Sequence, residues 1–150
     1  MAFLNNQAFT EVIDRTPLVS IDLVVENEKG EILFGLRTNR PAQGYWFVPG
    51  GRILKDETLN EAFLRLTSNE LGVEISRSDA CLLDIYEHFY DDSFWDEKIS
   101  THYIVLAYRI KLRTRFLEKL DKQHDLFEWL SIDELLSRSD VHKNVKAYFS

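Results

Sequence analysis

The stretch that decides the fold runs from residue 51 to residue 73 and reads GRILKDETLNEAFLRLTSNELGV. It predicts a helix from Thr58 to Leu71. Thr58 and Glu61 have the spacing of a capping box, in which each side chain accepts a hydrogen bond from the other residue's backbone N–H. Gly72 is a natural stop, because glycine readily takes the left-handed conformation that ends a helix.

One stripe of this helix, drawn at about 100° per residue, is apolar and is expected to face the core. It comprises Leu59, Ala62, Phe63 and Leu66. Glu70 continues the same stripe one turn further along. A carboxylate in line with an apolar face is costly unless a cation or hydrogen bonds meet it.

The turn before the helix offers one explanation for Glu70. It contains Pro49, Gly50 and Gly51, and glycine allows a ligand to approach the backbone closely. Free carbonyl groups in such a turn join carboxylates in binding a hard cation such as Mg²⁺. A structural salt bridge between Glu70 and Arg65 or another basic group is the alternative, and the pattern alone leaves both open.

The spacing across this stretch resembles the Nudix box, a loop–helix–loop signature of 23 residues. The matching positions are Gly51, Glu57, Arg65 and the run 70–73. The departures are Leu66 and Asn69, where the family has glutamates, and Thr67, where it has an aliphatic residue. The carboxylate cluster is thereby reduced mainly to Glu57 and Glu70.

This reduction bears on the expected chemistry. Each Mg²⁺ needs several hard oxygen ligands, and a helix with Leu66 and Asn69 no longer easily holds a row of metals. One Mg²⁺ per subunit, bound to a diphosphate, is therefore expected. The ordinary Nudix reaction, in which several metals assist attack of water on phosphorus, is disfavoured.

The departures match one subfamily. The run TNRPAQGYWFVPGGR at residues 38–52 is similar to that of GDP-mannose mannosyl hydrolases, as are shorter runs at 55–59, 88–92, 101–103 and 123–125. The resemblance extends from Thr16 to Phe149. It implies a Nudix fold of the α+β class, with a mixed β-sheet packed between helices.

The same resemblance implies an activity. The expected substrate is GDP-mannose, with GDP-glucose as a second candidate, and the expected products are GDP and free sugar. Water would attack the anomeric carbon with inversion. The resemblance assigns one Mg²⁺ to the Gly50 carbonyl, Glu70 and Gln123, and the role of general base to His124, which lies in a polar loop.

The resemblance also implies how substrate is bound. Arg37 and Arg52 would bind the diphosphate, because the guanidinium fork fits phosphate oxygens, and Arg52 would thereby take part in catalysis. Tyr103 would donate to a phosphate oxygen. Guanosine would contact Phe3, Leu4 and Phe9, since aromatic rings stack on bases.

Three further residues are expected to support the site. Arg65 would pair with Glu57 or Glu70 and hold the geometry of the helix. His88, at the end of a strand, would brace a loop or act as an alternative base.

Similar proteins are homodimers, so a homodimer is expected.

Two other functions stay open on the sequence. An ordinary Nudix pyrophosphohydrolase would cut between the phosphates, but needs a fuller set of carboxylates than this helix has. A non-catalytic nucleotide-binding module is suggested by the lost carboxylates, whereas Glu70, Gln123 and His124 favour an enzyme.

Composition excludes several classes of protein. The chain has 150 residues, which suits one domain over 1–150. Its 18 basic and 25 acidic residues give a net charge of −7, which argues against nucleic acid as a partner, because backbone binding needs a basic face. A phosphate substrate must therefore be met by local cations.

Location is expected to be cytoplasmic. Cys81 is the only cysteine, so no internal disulfide forms, and a reducing compartment is the simplest interpretation. The first residues lack the basic and apolar segments of a signal peptide. No apolar run approaches the ~20 residues of a membrane-spanning helix, so no membrane partner is expected.

The remaining elements follow from periodicity and turn signals. A helix is predicted from Asn5 or Asn6 to about Arg15. Predicted strands are Leu18–Glu26, Glu31–Arg37, Tyr45–Val48, Ala80–Phe89, Thr101–Lys111 and Leu126–Leu130. A short helix opens at Ser131, and a last helix starts at about Asp140.

Overall fold

A computed structural model of the protein describes residues 5–117 and 126–150. The strands are β1 (Leu18–Glu26), β2 (Ile32–Leu36), β3 (Trp46–Phe47), β4 (Gly50–Arg52), β5 (Cys81–Tyr90), β6 (Thr101–Lys111) and β7 (Phe127–Leu130). The α-helices are α1 (Asn6–Arg15), α2 (Leu59–Leu71), α3 (Ile132–Ser137) and α4 (Lys143–Lys146). Short 3₁₀ helices are Arg77–Asp79, Thr114–Leu117 and Ala147–Phe149.

The described strands form one mixed sheet in the order β3-β2-β1-β6-β5. β1 and β6 run parallel along their whole length, from Leu18 opposite Tyr103 to Glu26 opposite Lys111. The other pairs are antiparallel, with β4 joined to β1 and β7 joined to β2. The predicted α+β class with a mixed sheet is confirmed.

Both faces of the sheet are buried, because side chains alternate along each strand. Ile21, Leu23 and Val25 of β1 pack in the core beneath α2. Val24 belongs instead to the core that Leu135 and the other buried C-terminal residues cover from the opposite side. The predicted arrangement of a sheet between helices is therefore confirmed.

α2 begins and ends where local signals place it. The Thr58 side chain accepts from the Glu61 backbone, the Glu61 side chain accepts from the Thr58 backbone, and Gly72 closes the helix at φ +73°. One part of the predicted apolar stripe is wrong, because Leu59 is 36% exposed. It stands in the first turn, at the edge of the core, whereas Ala62, Phe63 and Leu66 are buried.

The glycine turn before α2 is partly a strand, which the sequence did not predict. β4 pairs with β1 so that Gly50 lies opposite Asp22 and Gly51 opposite Ile21. A side chain on Gly50 would clash with the Ile21 carbonyl oxygen and with Asp22, and a Cβ on Gly51 would approach Leu66 Cδ2 to 2.5 Å. These positions require glycine because the backbones and Leu66 pack so closely.

The other boundaries agree to within a few residues. The last predicted helix starts late, at Lys143, where His142 caps it by accepting from the Asn144 backbone. The capping box at Ser131 and Glu134 is confirmed. Among the helices that the structure describes, none has the length and apolarity needed to cross a membrane.

Candidate active site

A cavity of about 600 Å³ opens where β1, β4, β5 and β6 meet the loop after β2 and the end of α2. Seven polar or glycine positions on its wall bear on chemistry: Asp22, Arg37, Gly50, Arg52, Glu70, His88 and Tyr103. Six of these were singled out from the sequence, and the fold brings them together from positions up to 66 residues apart (37 to 103). Asp22 was not predicted.

The metal-ligand candidates that the structure describes border this cavity together. Gly50 and Glu70 both line it, and backbone carbonyl and carboxylate oxygens are donors that suit a hard cation like Mg²⁺. Within residues 5–117 and 126–150, no three His, Cys, Asp or Glu side chains are grouped to hold a metal. The donor set therefore fits a site with few carboxylates.

Leu66 occupies a place where a fuller Nudix box has a glutamate. Its side chain is 3% exposed and lies directly beneath Gly51. Asn69, the other departure, is exposed on the surface of α2. Neither position therefore adds a carboxylate to the cavity wall.

Arg65 joins α2 to the glycine turn. Its Nε and Nη2 donate to the two carboxylate oxygens of Glu57 at 2.7 and 3.0 Å, and Nη2 also donates to the Arg52 carbonyl at 2.8 Å. The Arg65 hydrogen bond, helped by the Leu54 backbone N–H, holds the pKa of Glu57 below its usual range. Arg65 thus contacts Glu57, which is one of the two partners predicted for it.

The two cavity arginines are each oriented by a neighbour. Arg37 follows β2, and its Nε donates to the Pro41 carbonyl at 2.8 Å. The Arg52 guanidinium lies over the ring of Phe9, with Cζ 4.4 Å from the ring centroid. Phe9, predicted to contact guanosine, therefore contacts Arg52 in this structure, in a cation–π arrangement.

Tyr103 lies on β6, opposite His88 of β5. Burial raises the pKa of Tyr103, and the nearby Asp22 adds to this effect, while Arg37 and Arg52 oppose it. Its hydroxyl therefore keeps its proton at neutral pH. A protonated hydroxyl on the cavity wall is available as a hydrogen-bond donor.

A buried polar network that the sequence did not reveal forms one wall of the cavity. The Tyr148 hydroxyl donates to Asp22 Oδ2 at 2.5 Å and lies 3.2 Å from His88 Nε2. Asp22 is 7% and His88 3% exposed. The sequence signal for this network is a carboxylate in the middle of a mostly apolar strand, β1, because its partners lie 66 and 126 positions further along.

Burial shifts the ionisation of both cavity residues. It raises the pKa of Asp22 to about 7, although the Tyr148 hydrogen bond and the charge of Arg37 pull the other way. Burial, with a smaller effect of His142, lowers the pKa of His88 to about 4. His88 is therefore neutral at pH 7, which disfavours a role as a base that titrates near neutrality.

Four predicted residues lie outside the described part of the chain. These are Phe3, Leu4, Gln123 and His124. The assignments of Gln123 to the metal, of His124 as base, and of Phe3 and Leu4 to guanosine therefore stay predictions.

A mixed sheet between helices, with a glycine turn and a helix carboxylate at one cavity, defines the class of Nudix domains. Residues 16–149 match the NUDIX domain family, so the chain belongs to that family. This supports a hydrolase, and Nudix hydrolases typically use a divalent metal such as Mg²⁺.

One curated relative is the low-salt glycan biosynthesis protein Agl8 of Haloferax volcanii, 43% identical over 113 residues, or 75% of this chain and 70% of that protein. Among solved structures, a MutT NUDIX hydrolase from Burkholderia pseudomallei has a TM-score of 0.65 at 22% identity, covering 89% of this chain and 96% of that one. The NUDIX domain of Shewanella oneidensis NrtR, complexed with ADP ribose, has a TM-score of 0.64 at 17% identity, covering 97% and 90%. At these identities the two structures show the fold alone.

Proposed function

We propose that this protein hydrolyses GDP-mannose to GDP and free mannose in the presence of one Mg²⁺ per subunit. The oxygen of water forms a bond to the anomeric carbon from the face opposite the diphosphate. The bond from that carbon to the phosphate oxygen breaks, and its electron pair leaves with GDP. The sugar configuration is therefore inverted, and His124 takes the proton from water.

The packing of Leu66 carries this proposal. Its apolar side chain fills the space beneath Gly51, at a position where an ordinary Nudix box has a metal-binding glutamate. Glu70 is then the acidic residue of α2 that lines the cavity and would bind the ion. Such a site favours a single ion on the diphosphate, which suits departure of intact GDP better than attack on phosphorus assisted by several metals.

Two arginines of the cavity would supply the positive charge that this reaction needs at the diphosphate. Arg37 and Arg52 line the cavity and would neutralise the charge that develops on GDP as the sugar leaves. Mg²⁺, held by Gly50, Glu70 and Gln123, would supply further charge neutralisation there. No separate acid is then needed to protonate the departing oxygen, in contrast to a glycosidase with two carboxylates.

The remaining proposed contacts bind a phosphate oxygen, the guanosine and the sugar of the substrate. Tyr103 would donate to a phosphate oxygen. Phe3, Leu4 and Phe9 are proposed for guanosine, with Phe9 also holding Arg52. Asp22 and His88, on the buried polar wall, would bind sugar hydroxyls, because a hydroxyl group can both donate and accept hydrogen bonds.

The name of the Haloferax volcanii relative agrees with a nucleotide sugar as substrate. Agl8 is described as a glycan biosynthesis protein, and glycans are built from activated sugars. GDP-glucose is a second candidate substrate, since the residues above do not distinguish the two sugars by charge.

Hydrolysis in ¹⁸O-labelled water tests the proposal directly. We expect label in mannose, none in GDP, and β-mannose as the first sugar product by proton NMR. Mass spectrometry of the two products locates the label. The control is Asn69→Ala, an exposed change on α2, which should leave the products and the rate unchanged.

Other outcomes would identify the two alternative functions. Label in a phosphate, with GMP and mannose phosphate as products, would mean an ordinary Nudix pyrophosphohydrolase. Binding of GDP-mannose without turnover in the presence of Mg²⁺ would mean a nucleotide-binding module.

We also propose that two copies associate, as the resemblance implies. β5 is the last strand in the described sheet order, and its Ile85 and Phe89 are 58% and 61% exposed. Light scattering should give twice the chain mass of 17.6 kDa, and Ile85→Asp should shift the mass toward one chain. Ile132→Asp, at a 43% exposed position of α3, is the control, and a wild-type mass of one chain contradicts the proposal.

A further inference from the structure

The C-terminal 3₁₀ helix, Ala147–Phe149, supplies a side chain that reaches the wall of the cavity from behind. Tyr148 is 9% exposed and is not among the residues that line the cavity. Its hydroxyl contacts Asp22 of β1 at 2.5 Å and His88 of β5 at 3.2 Å, and both of these side chains do line it. One hydroxyl thus joins two strands that are not neighbours in the sheet.

The chemistry of a hydroxyl sets the direction of these bonds. A tyrosine hydroxyl has one proton to donate and lone pairs to accept. Its proton is directed to Asp22 Oδ2, so the contact with His88 requires Nε2–H to donate to the Tyr148 oxygen. Because a neutral imidazole carries one proton, His88 Nδ1 is then left as an acceptor.

We propose that Tyr148 is a positioning residue, which holds the Asp22 carboxylate and the Nε2–H tautomer of His88 as one fixed hydrogen-bonding wall. Resting on the proposed function, we assign this wall to the sugar of the substrate. Fixed acceptors recognise hydroxyl groups by direction as well as by distance. Tyr148 therefore acts on sugar recognition through two residues that it orients, without touching the substrate.

Rigid support surrounds the Tyr148 ring. It packs edge-on against Tyr86, with centroids 4.7 Å apart, and stacks on the His88 ring at 5.8 Å. The ring lies in the core with Val24, Phe34 and other buried residues. Removing only the hydroxyl should therefore leave the ring in place and release Asp22 and His88.

The variant that tests this is Tyr148→Phe. We expect kcat/KM for GDP-mannose to fall about 10- to 100-fold, since small displacements of positioning groups have effects of this size. Affinity for GDP alone, measured by calorimetry with Mg²⁺, should stay unchanged because GDP has no sugar to be oriented. Unchanged kcat/KM, or an equal loss of GDP affinity, would overturn the positioning role.

A second measurement does not depend on the substrate. Nitrogen NMR of histidine-labelled protein, at a pH of about 8.5, well above the pKa values of Asp22 and His88, reports which ring nitrogen of His88 carries the proton. Loss of a signal in His88→Gln assigns it. We expect Nε2–H in the wild type and a changed tautomer ratio in Tyr148→Phe; an Nδ1–H wild type, or no change, would overturn the proposal.

The matched control is Tyr86→Phe, which removes a hydroxyl from the ring packed against Tyr148. It should alter neither kcat/KM nor the His88 signal. Equal effects in both variants would show a general loosening of this core instead of positioning by Tyr148. If the wild type does not release GDP from GDP-mannose, the proposed function fails, and the NMR result still decides the role of Tyr148.

Discussion

Glu70→Gln is expected to lower both Mg²⁺ affinity and kcat by at least about 100-fold. Removing a residue that only orients a metal ligand typically lowers affinity or activity about 10- to 100-fold. Removing a carboxylate that binds the metal directly should lower them more. Glutamine keeps the size of the side chain but loses its negative charge. Calorimetric titration with Mg²⁺ in the presence of GDP, and kcat at saturating Mg²⁺, measure the two effects.

Asn69→Ala is the control that separates Glu70, the proposed ligand, from the residue next to it in the box. Asn69 is exposed, so its loss should change neither quantity. The same titration gives the stoichiometry, for which we expect one ion per subunit. The ligand assignment would be contradicted if Asn69→Ala lowered Mg²⁺ affinity or kcat more than Glu70→Gln does, or if two ions bound tightly per subunit.

Local signals account for the parts of the fold that the sequence predicted well. The ends of α2 depend on contacts between residues three or four apart, such as Thr58 with Glu61 and Gly72 with Ser68. Strand β1 was predicted with its observed bounds, because residues 18–26 are mostly apolar and a polar turn ending at Gly30 follows them. The prediction that Leu59 faces the core was wrong, because periodicity alone does not show how far along the helix the core extends.

The candidate site was predicted where a motif marks it and missed where it depends on distant contacts. Arg52, Glu70 and Tyr103 line the same cavity, and the resemblance had singled out each of them. The strand character of Gly50–Arg52 was missed because it depends on pairing with β1, about 30 residues earlier.

The network around Asp22 could not be predicted by spacing. Its partners are His88 and Tyr148, which belong to a strand and to the C-terminal end of the described fold. Alternation places Asp22 on the same face of β1 as Ser20 and Val24, but gives no partner for it. A buried carboxylate needs hydrogen bonds, and only the assembled fold supplies them.

His124→Gln is expected to lower kcat about 10²- to 10⁴-fold, the usual cost of removing one general base. Binding of GDP-mannose should be retained, because the diphosphate contacts that we propose for Arg37, Arg52 and the ion on Glu70 do not involve His124. The residual reaction should still place ¹⁸O in mannose, since removing the base slows attack at carbon without making phosphorus more reactive. Steady-state kinetics and labelled products measure both expectations.

The matched control is His102→Gln. His102 lies on β6, stacked on Phe89 with ring centroids 4.4 Å apart, and has no assigned role in the site. Its replacement should leave kcat unchanged, so a specific loss at His124 would identify the base. Full activity in His124→Gln would mean that another group accepts the proton, and Asp22, whose pKa is raised to about 7, would then be the next carboxylate to replace. In the proposed reaction Arg37 and Arg52 would neutralise the departing GDP, so attack at carbon would require only one base, and these variants identify which residue it is.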